Sequence, residues 1–381
     1  MTASEWTTRL PWRIVILATL LVCAGCLAIA RSDHLSDGSG LLVWRQIIWA
    51  CVAGMGMLLI TLPNYRILCR VSYALLGMTL VLLVTVYFFP AINGSHRWIR
   101  LGPLSFQPSE LAKVAFVMAL ARWLMHHNNY RHLTGLLLPL AIALLPVVLI
   151  LREPDLGTAL VFLPVLFAML FAAGARRRDL ATIAMVGLLA IPLLWLQMTR
   201  EQKSRVTAVL SPAAADSRPD ADGYHLFRSK QTLTAGGMWG SWISGDSEAE
   251  PHLYLVPATA TDSILCIIAE RWGLWGIGLV FTLQGLLVAA CLRVARFTNE
   301  PFGRLLAVGV ATLIAVQVII NTAMLVGLLP ITGLSLPLLS YGGSGLLAHC
   351  LALGLVLNVA LRPGYEVAGE SFRFSKTRRA A

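Results

Sequence analysis

The sequence predicts an all-α integral membrane protein: ten transmembrane helices, with a large extracytoplasmic loop between the seventh and the eighth. Three observations carry that reading. Residues of the set AVILMFWYC make up 57% of the 381 positions. Charged residues make up 13%, about half of the ~25% usual in soluble domains. Ten apolar stretches, each near the ~20 residues that cross ~30 Å of hydrocarbon as a helix, divide the chain. A soluble multidomain enzyme of this length needs far more polar surface, and a disordered scaffold lacks such apolar content. The net charge of +11 does not point to nucleic acid, because the basic residues sit in short runs between apolar stretches. The whole chain, 1–381, reads as a single polytopic membrane domain.

The stretches fall at 12–30, 44–62, 71–89, 108–126, 133–151, 155–174, 180–198, 261–291, 305–328 and 345–361. The first follows Arg9 and Arg13 and ends in Ala28-Ile29-Ala30, a sequence resembling a signal-peptide cleavage site. Its full length and the nine spans behind it favour a retained helix. Cys26 does not suit a lipoprotein anchor, because Cys23 stands where Leu is wanted. Almost all seven cysteines lie in apolar runs, so they read as packing residues with no disulfide framework. The fourth stretch opens on Pro108, suited to the first turn of a helix. The sixth opens on Asp155, which the helix dipole favours at an N-terminus. The eighth opens on Thr261 and Asp262, read as a capping residue and an acid in the first turn. The tenth follows a Gly-rich outer loop, 329–345.

Lys and Arg set orientation, because they are kept on the cytoplasmic side. Placing the N-terminus inside puts 17 of the 30 basic residues there, including Arg176, Arg177, Arg178 and five in a basic cytoplasmic tail, 362–381. The short outer loops hold only Arg31, Arg45, Arg97, Arg100 and Arg152. Both termini are therefore expected inside. Residues 199–260 form the large extracytoplasmic loop. Loops of that length are functional or disordered as a rule. Tyr224, Phe227, Trp239, Trp242 and Tyr254 in this one suggest packing on the membrane surface.

Charges inside spans are the most informative feature, since each costs ~2.5–3.5 kcal/mol at a helix centre even on the lenient insertion scale. Glu110 and Lys113, three apart, share one helix face. They are either a self-neutralising border pair or a cation held toward a polar hollow by its counter-ion. Asn93-Gly94-Ser95-His96-Arg97-Trp98-Ile99-Arg100 precedes them. Its arginines suit phosphate oxygens, although interfacial anchoring accounts for Arg and Trp equally well. Asp155 is as much a cap as a reactive acid. Asp262 is the sharpest candidate: an acid at the outer mouth of a span, placed to meet a sugar hydroxyl as a general base. Glu270, two turns further, is expected to continue a polar wall inward. The loop Leu329–Gly345 is irregular chain near membrane depth, tolerated only where it lines a cavity or is buried in protein. It contains no G-x-S-x-G elbow. No phosphate-cradling G-x-x-x-x-G-K and no zinc spacing such as H-E-x-x-H occurs in the chain.

In this order, the motifs resemble the SEDS family of bacterial cell-wall proteins, which includes RodA, FtsW and SpoVE. The matching blocks are Asn93-Gly94 with Arg97-Trp98-Ile99; Phe106-Gln107-Pro108-Ser109-Glu110-Leu111-Ala112-Lys113; Pro154-Asp155-Leu156-Gly157-Thr158; Thr261-Asp262 with Ala269-Glu270 and Gly273; and Leu336-Pro337 with Ser340-Tyr341-Gly342-Gly343-Ser344. The ten-span plan fits that family as well. The resemblance implies a peptidoglycan glycosyltransferase that polymerises lipid II at the outer face of the cytoplasmic membrane, beside a class B penicillin-binding protein that crosslinks the product. It makes Asp262 catalytic and places Arg97, Trp98, Gln107, Glu110, Lys113, Asp155, Glu270, Ser340 and Tyr341 at the substrate. Four positions depart from the family pattern. Ser263 replaces an aromatic, Arg271-Trp272 replace Glu-Leu, and Glu153 replaces Gln.

The expected reaction has Asp262 deprotonating the acceptor 4-hydroxyl, which displaces an α-linked pyrophosphate and leaves a β-1,4 bond with inversion. Lys113 and Arg97 are expected to neutralise the leaving group, the kind of electrostatic stabilisation that tends to dominate catalysis. A divalent cation, Mg²⁺ or Mn²⁺, suits pyrophosphate chemistry; no nucleotide or organic cofactor is expected. Two rivals share the sequence features: a lipid II flippase, whose polar pathway would use the same charges, and a scaffold for the crosslinking enzyme. Length and short tails lean to the RodA-like branch, while Ile331–Pro337 suits the division or sporulation branch equally well.

Overall fold

The structure, a computed structural model, describes residues 10–35, 40–63, 65–90, 95–101, 104–126, 133–210, 222–244 and 259–362. A helix stands on each of the ten expected stretches: α1 Trp12–Leu35, α2 Leu41–Leu59, α3 Tyr65–Thr85, α4 Pro108–His126, α5 Leu137–Arg152, α6 Leu156–Ala173, α7 Arg177–Gln197, α11 Ile264–Phe297, α12 Pro301–Val326 and α13 Gly343–Leu361. Three more helices belong to the long polar stretch: α8 Arg200–Leu210, α9 Asp222–Ala235 and the short α10 Ser241–Ser244. Among the described residues, seven helices are long and apolar enough to cross a membrane: α1, α2, α3, α6, α11, α12 and α13. Of the other three, α4 carries Glu110, Lys113 and Arg122 in 19 residues, and α5 has only 16.

Local chemistry explains the boundaries. Pro108 opens α4 and Pro301 opens α12, where a missing N–H costs nothing. Asp155 caps α6 by accepting from Thr158 N at 3.1 Å, and Glu300 caps α12 by accepting from Gly303 N at 2.6 Å. α6 and α12 end on Gly174 and Gly327, both in the left-handed region. Between α3 and α4 a small hairpin forms, β1 Ile99–Leu101 against β2 Leu104–Phe106, antiparallel with Ile99 opposite Phe106. No strand was expected in that outer loop.

α4, α12 and α13 are buried almost all round and form the centre, with α6 packed against α12 and α5. A helix apolar on every side belongs in such a position. Peripheral helices turn large apolar side chains outward, among them Ile16 and Leu20 of α1, Met55 of α2, Val81 of α3 and Val186 to Leu189 of α7. That surface matches a lipid solvent. α9 packs across α11 and α12, burying Leu226, Ser229 and Thr232. This part of the long polar stretch therefore rests on the helix bundle itself. The tail's first residue, Arg362, donates to Thr61 O at 3.1 Å; its remainder, 363–381, lies outside the described residues, as do Asn93 and Gly94.

The connection 328–342 runs without regular structure yet buries Leu334, Leu336, Leu338 and Leu339. Its backbone groups are met by amides from the surrounding helices. Gln46 donates to Ser340 O at 3.2 Å and accepts from Gly342 N; Gln284 donates to Pro337 O at 2.7 Å; Asn321 donates to Leu334 O at 2.7 Å. This satisfies the condition under which irregular chain survives inside apolar surroundings.

Candidate active site

The eighth span starts later than its sequence suggested. Residues 259–263 form turns and α11 begins at Ile264, with Ser263 at its N-cap. Asp262 is therefore not in the first helical turn, and Thr261 is not the cap. The Thr261 hydroxyl instead donates to Asp262 Oδ1 at 2.9 Å. The turn is pinned from two sides. Tyr341 N donates to Ala260 O at 2.8 Å, and Asn321 Nδ2 donates to Asp262 O at 2.8 Å. Asp262 Oδ2 looks toward Gly333, whose φ of 68° only glycine adopts freely.

Asp262 opens on a polar cavity of about 250 Å³. Eight of the ten residues named from sequence line it: Asp262, Arg97, Trp98, Gln107, Glu110, Asp155, Ser340 and Tyr341. They come from the hairpin, α4, the α5–α6 connection, the turn before α11 and the irregular 328–342 segment. Arg97 donates from Nε to Glu153 O at 3.1 Å and from Nη2 to Pro154 O. Gln107 donates to Asp155 Oδ2 at 3.4 Å, and Asp155 also accepts from Thr158 Oγ1 at 2.9 Å. Asp155 thus fills both roles the sequence allowed, helix cap and cavity wall.

Two expected residues stand elsewhere. Lys113 does not line the cavity: 2% exposed, it lies behind Glu110 and donates to Oε1 at 2.8 Å. Glu110 Oε2 is buried without a bond. A cation facing the leaving group directly is corrected to a carboxylate backed by a cation. Glu270 does not extend a polar wall from Asp262; it pairs with Arg31 of α1 at 3.4 Å. The reason is local: Asp262 precedes the helix, so helical spacing does not relate the two acids.

Burial raises the Asp262 carboxyl above the ordinary carboxylate range, against the charge of His225, the Thr261 hydrogen bond and the charge of Arg205. His225 and Arg205 belong to α9 and α8, so the long polar stretch shapes the site's electrostatics. Glu153, in the connection below Arg97, is fully buried with both oxygens unbonded, and burial plus the neighbouring Asp155 charge push it up to about 8.

Sequence reasoning missed several contributors. His349 lines the cavity, with Nε2 2.6 Å from Gln317 Oε1 and Nδ1 2.6 Å from Gly345 O. Asn321 and Gln46 hold the surrounding backbone. All are polar groups inside apolar spans, a signal available from sequence. His225 and Arg205 carried no such signal, because polar residues in a polar loop are ordinary.

The expected divalent cation was tested against the donor set. Among the described residues no three His, Cys, Asp or Glu side chains come together as a cation cage. Asp155 is committed to Thr158 and Gln107, and Glu110 to Lys113.

Comparison with known proteins decides the family. The FtsW/RodA/SpoVE model, described as "Cell cycle protein", matches residues 8–363. The chain belongs to this family. This is the SEDS family that the motifs resembled. A relative from Trichlorobacter lovleyi, named "Probable peptidoglycan glycosyltransferase FtsW", is 35% identical over 349 residues, covering 90% of this chain and 88% of that one. Another from Escherichia coli K12, named "Peptidoglycan glycosyltransferase MrdB", is 36% identical over 284 residues, 74% of this chain and 75% of its own. Among solved structures, a chain described under "Structural coordination of polymerization and crosslinking by a peptidoglycan synthase complex" superposes with a TM-score of 0.78. It is 31% identical, with 93% of this chain and 98% of that chain covered.

Proposed function

We propose that this SEDS protein is a peptidoglycan glycosyltransferase that polymerises lipid II at the outer face of the cytoplasmic membrane. One observation carries the reading. Asp262, buried and held by Asn321 and Thr261, opens on the same polar cavity as Arg97, Gln107, Asp155 and Tyr341. An acid with raised proton affinity is suited to take a proton from a hydroxyl. Asp262 receives the proton of the acceptor 4-hydroxyl as that oxygen attacks C1 of the donor. The C1–oxygen bond to pyrophosphate breaks, and inversion of the α-linked donor leaves a β-1,4 link. Arg97, with two of its five N–H donors spent on backbone carbonyls, offers the rest to the departing pyrophosphate. Lys113 pairs with Glu110 beside that path.

The ten helices on the ten expected stretches support ten spans, with both termini cytoplasmic and the 199–260 loop outside. The similar solved complex, which coordinates polymerization with crosslinking, supports a class B penicillin-binding protein as partner. Lipid II and the growing strand are the substrates in either elongation or division.

The test is glycan synthesis by the purified full chain in detergent, with lipid II as sole substrate. Asp262→Ala is expected to lower polymerisation by ~10²–10⁴-fold, the usual share of a general base, with insertion unchanged. Wild-type protein that binds lipid II but lengthens no glycan would leave transport or scaffolding as the function.

A further inference from the structure

Between α1, α11 and the 239–243 segment lies a second, larger hollow that shares no lining residue with the Asp262 cavity. It encloses about 430 Å³ and is lined almost wholly by apolar groups: Trp239, Trp242, Trp272 and Trp275, with Leu27 of α1 and Leu279 of α11. Its construction is specific. Gly273 breaks the helix with φ 62°, and Leu274 N donates to Gly237 O at 3.0 Å instead of to its own helix. Gly236, Gly240 and Gly273 let the two backbones touch, and a Cβ at any of them would strike the opposing chain. That contact presents two tryptophans from the loop beside two from the helix, with Trp239 and Trp275 ring centroids 6.2 Å apart.

Charge lies at the rim. The Arg271 guanidinium stacks on Trp242 at 4.8 Å, and Arg31, one turn beyond Leu27 on α1, stands beside Glu270. Among the described residues, two cations stand here against one carboxylate. Arg271 supplies the stacked cation and Trp272, its neighbour in the chain, lines the wall.

We propose that this groove is a binding site for an anionic phospholipid, its acyl chain between the tryptophans and its phosphate at Arg271. Trp belts at the membrane interface and basic residues that attract acidic lipids are the two physical ingredients. The proposal rests on the membrane reading but not on the glycosyltransferase reading.

The experiment is native mass spectrometry of delipidated full-length protein, titrated with phosphatidylglycerol or with phosphatidylcholine of the same chains. Wild type is expected to retain phosphatidylglycerol preferentially. Arg271→Gln is expected to lose about fivefold of that preference, the worth of one basic residue near an acidic surface. Trp272→Leu is expected to weaken retention of both lipids. Neither change should alter glycan synthesis in detergent. Equal retention of the two lipids, an Arg271→Gln preference equal to wild type, or no retention of either lipid would overturn the proposal. The last result would leave a partner's transmembrane helix as the occupant.

Discussion

The two hollows are opposites. The larger, about 430 Å³, is apolar and walled by tryptophan; the smaller, about 250 Å³, gathers Asp262, Arg97, Glu110, Asp155 and His349. Size would select the wrong one. Chemistry belongs where convergent polar groups are held in place, and every wall of the smaller hollow is held by something else. Asn321 fixes the backbone of Asp262, Thr261 its carboxylate, Lys113 backs Glu110, and Thr158 and Gln107 occupy Asp155. The groove relies on backbone contact at glycines and presents its side chains to whatever approaches. One region is over-determined; the other is a surface.

The largest expected effect that sharpens this contrast comes from Asn321→Leu. The amide serves Asp262 O and Leu334 O together. Its removal leaves two buried carbonyls unpaired, at a cost of ~1–3 kcal/mol each, and frees the turn that aims Asp262. Polymerisation is expected to fall at least ~10-fold through kcat, since a misplaced reacting group loses orientation without losing substrate contacts. A variant with full kcat would show that the carboxylate is positioned without this support.

How far the sequence reached can be judged residue by residue. Helix positions were legible because ~20 apolar residues in a row have few other folds open to them. Most of the cavity lining was legible because the family motifs carry it. The Glu110–Lys113 pair was legible from its i, i+3 spacing, whereas the place of Lys113 behind Glu110 was not. Spacing tells which face of a helix a residue shares, and it does not tell which partner waits there: Glu270 pairs with Arg31 on α1, more than two hundred residues away. The hairpin at Ile99–Phe106 was missed because three-residue strands leave no periodicity to read. The helices α8 and α9 were missed because a polar stretch resembles any other until it packs.

A smaller effect separates the carboxylate's burial from its neighbours. His225 holds the proton affinity of Asp262 down against burial, and it also sits 3.3 Å from Ser263 Oγ, where the family has an aromatic. A general base works only when ionised, so the rate falls as pH drops through the carboxyl's raised pKa. His225→Gln removes a charge that favours ionisation. The acidic limb of the pH–rate profile should therefore move to higher pH, with the plateau rate little changed. A limb that stays in place would mean His225 acts on structure alone.

The smallest effect concerns Glu153, beneath the same cavity. Its folded pKa, about 8, lies above the ordinary carboxyl value of 4.5, so the folded protein binds a proton more tightly than the unfolded chain does. Stability from that proton is fully present below about pH 4.5 and is lost progressively as pH rises to about 8. Glu153→Gln, the family's own residue, has no proton to lose. In detergent, wild type is expected to melt lower at pH 8 than at pH 6, and the Gln variant to show a smaller difference between the two. The groove contains no titrating group of this kind, so Trp272→Leu should leave the wild-type pH dependence intact. If that variant flattened the dependence instead, the two hollows would be coupled, and the separation drawn between them would fail.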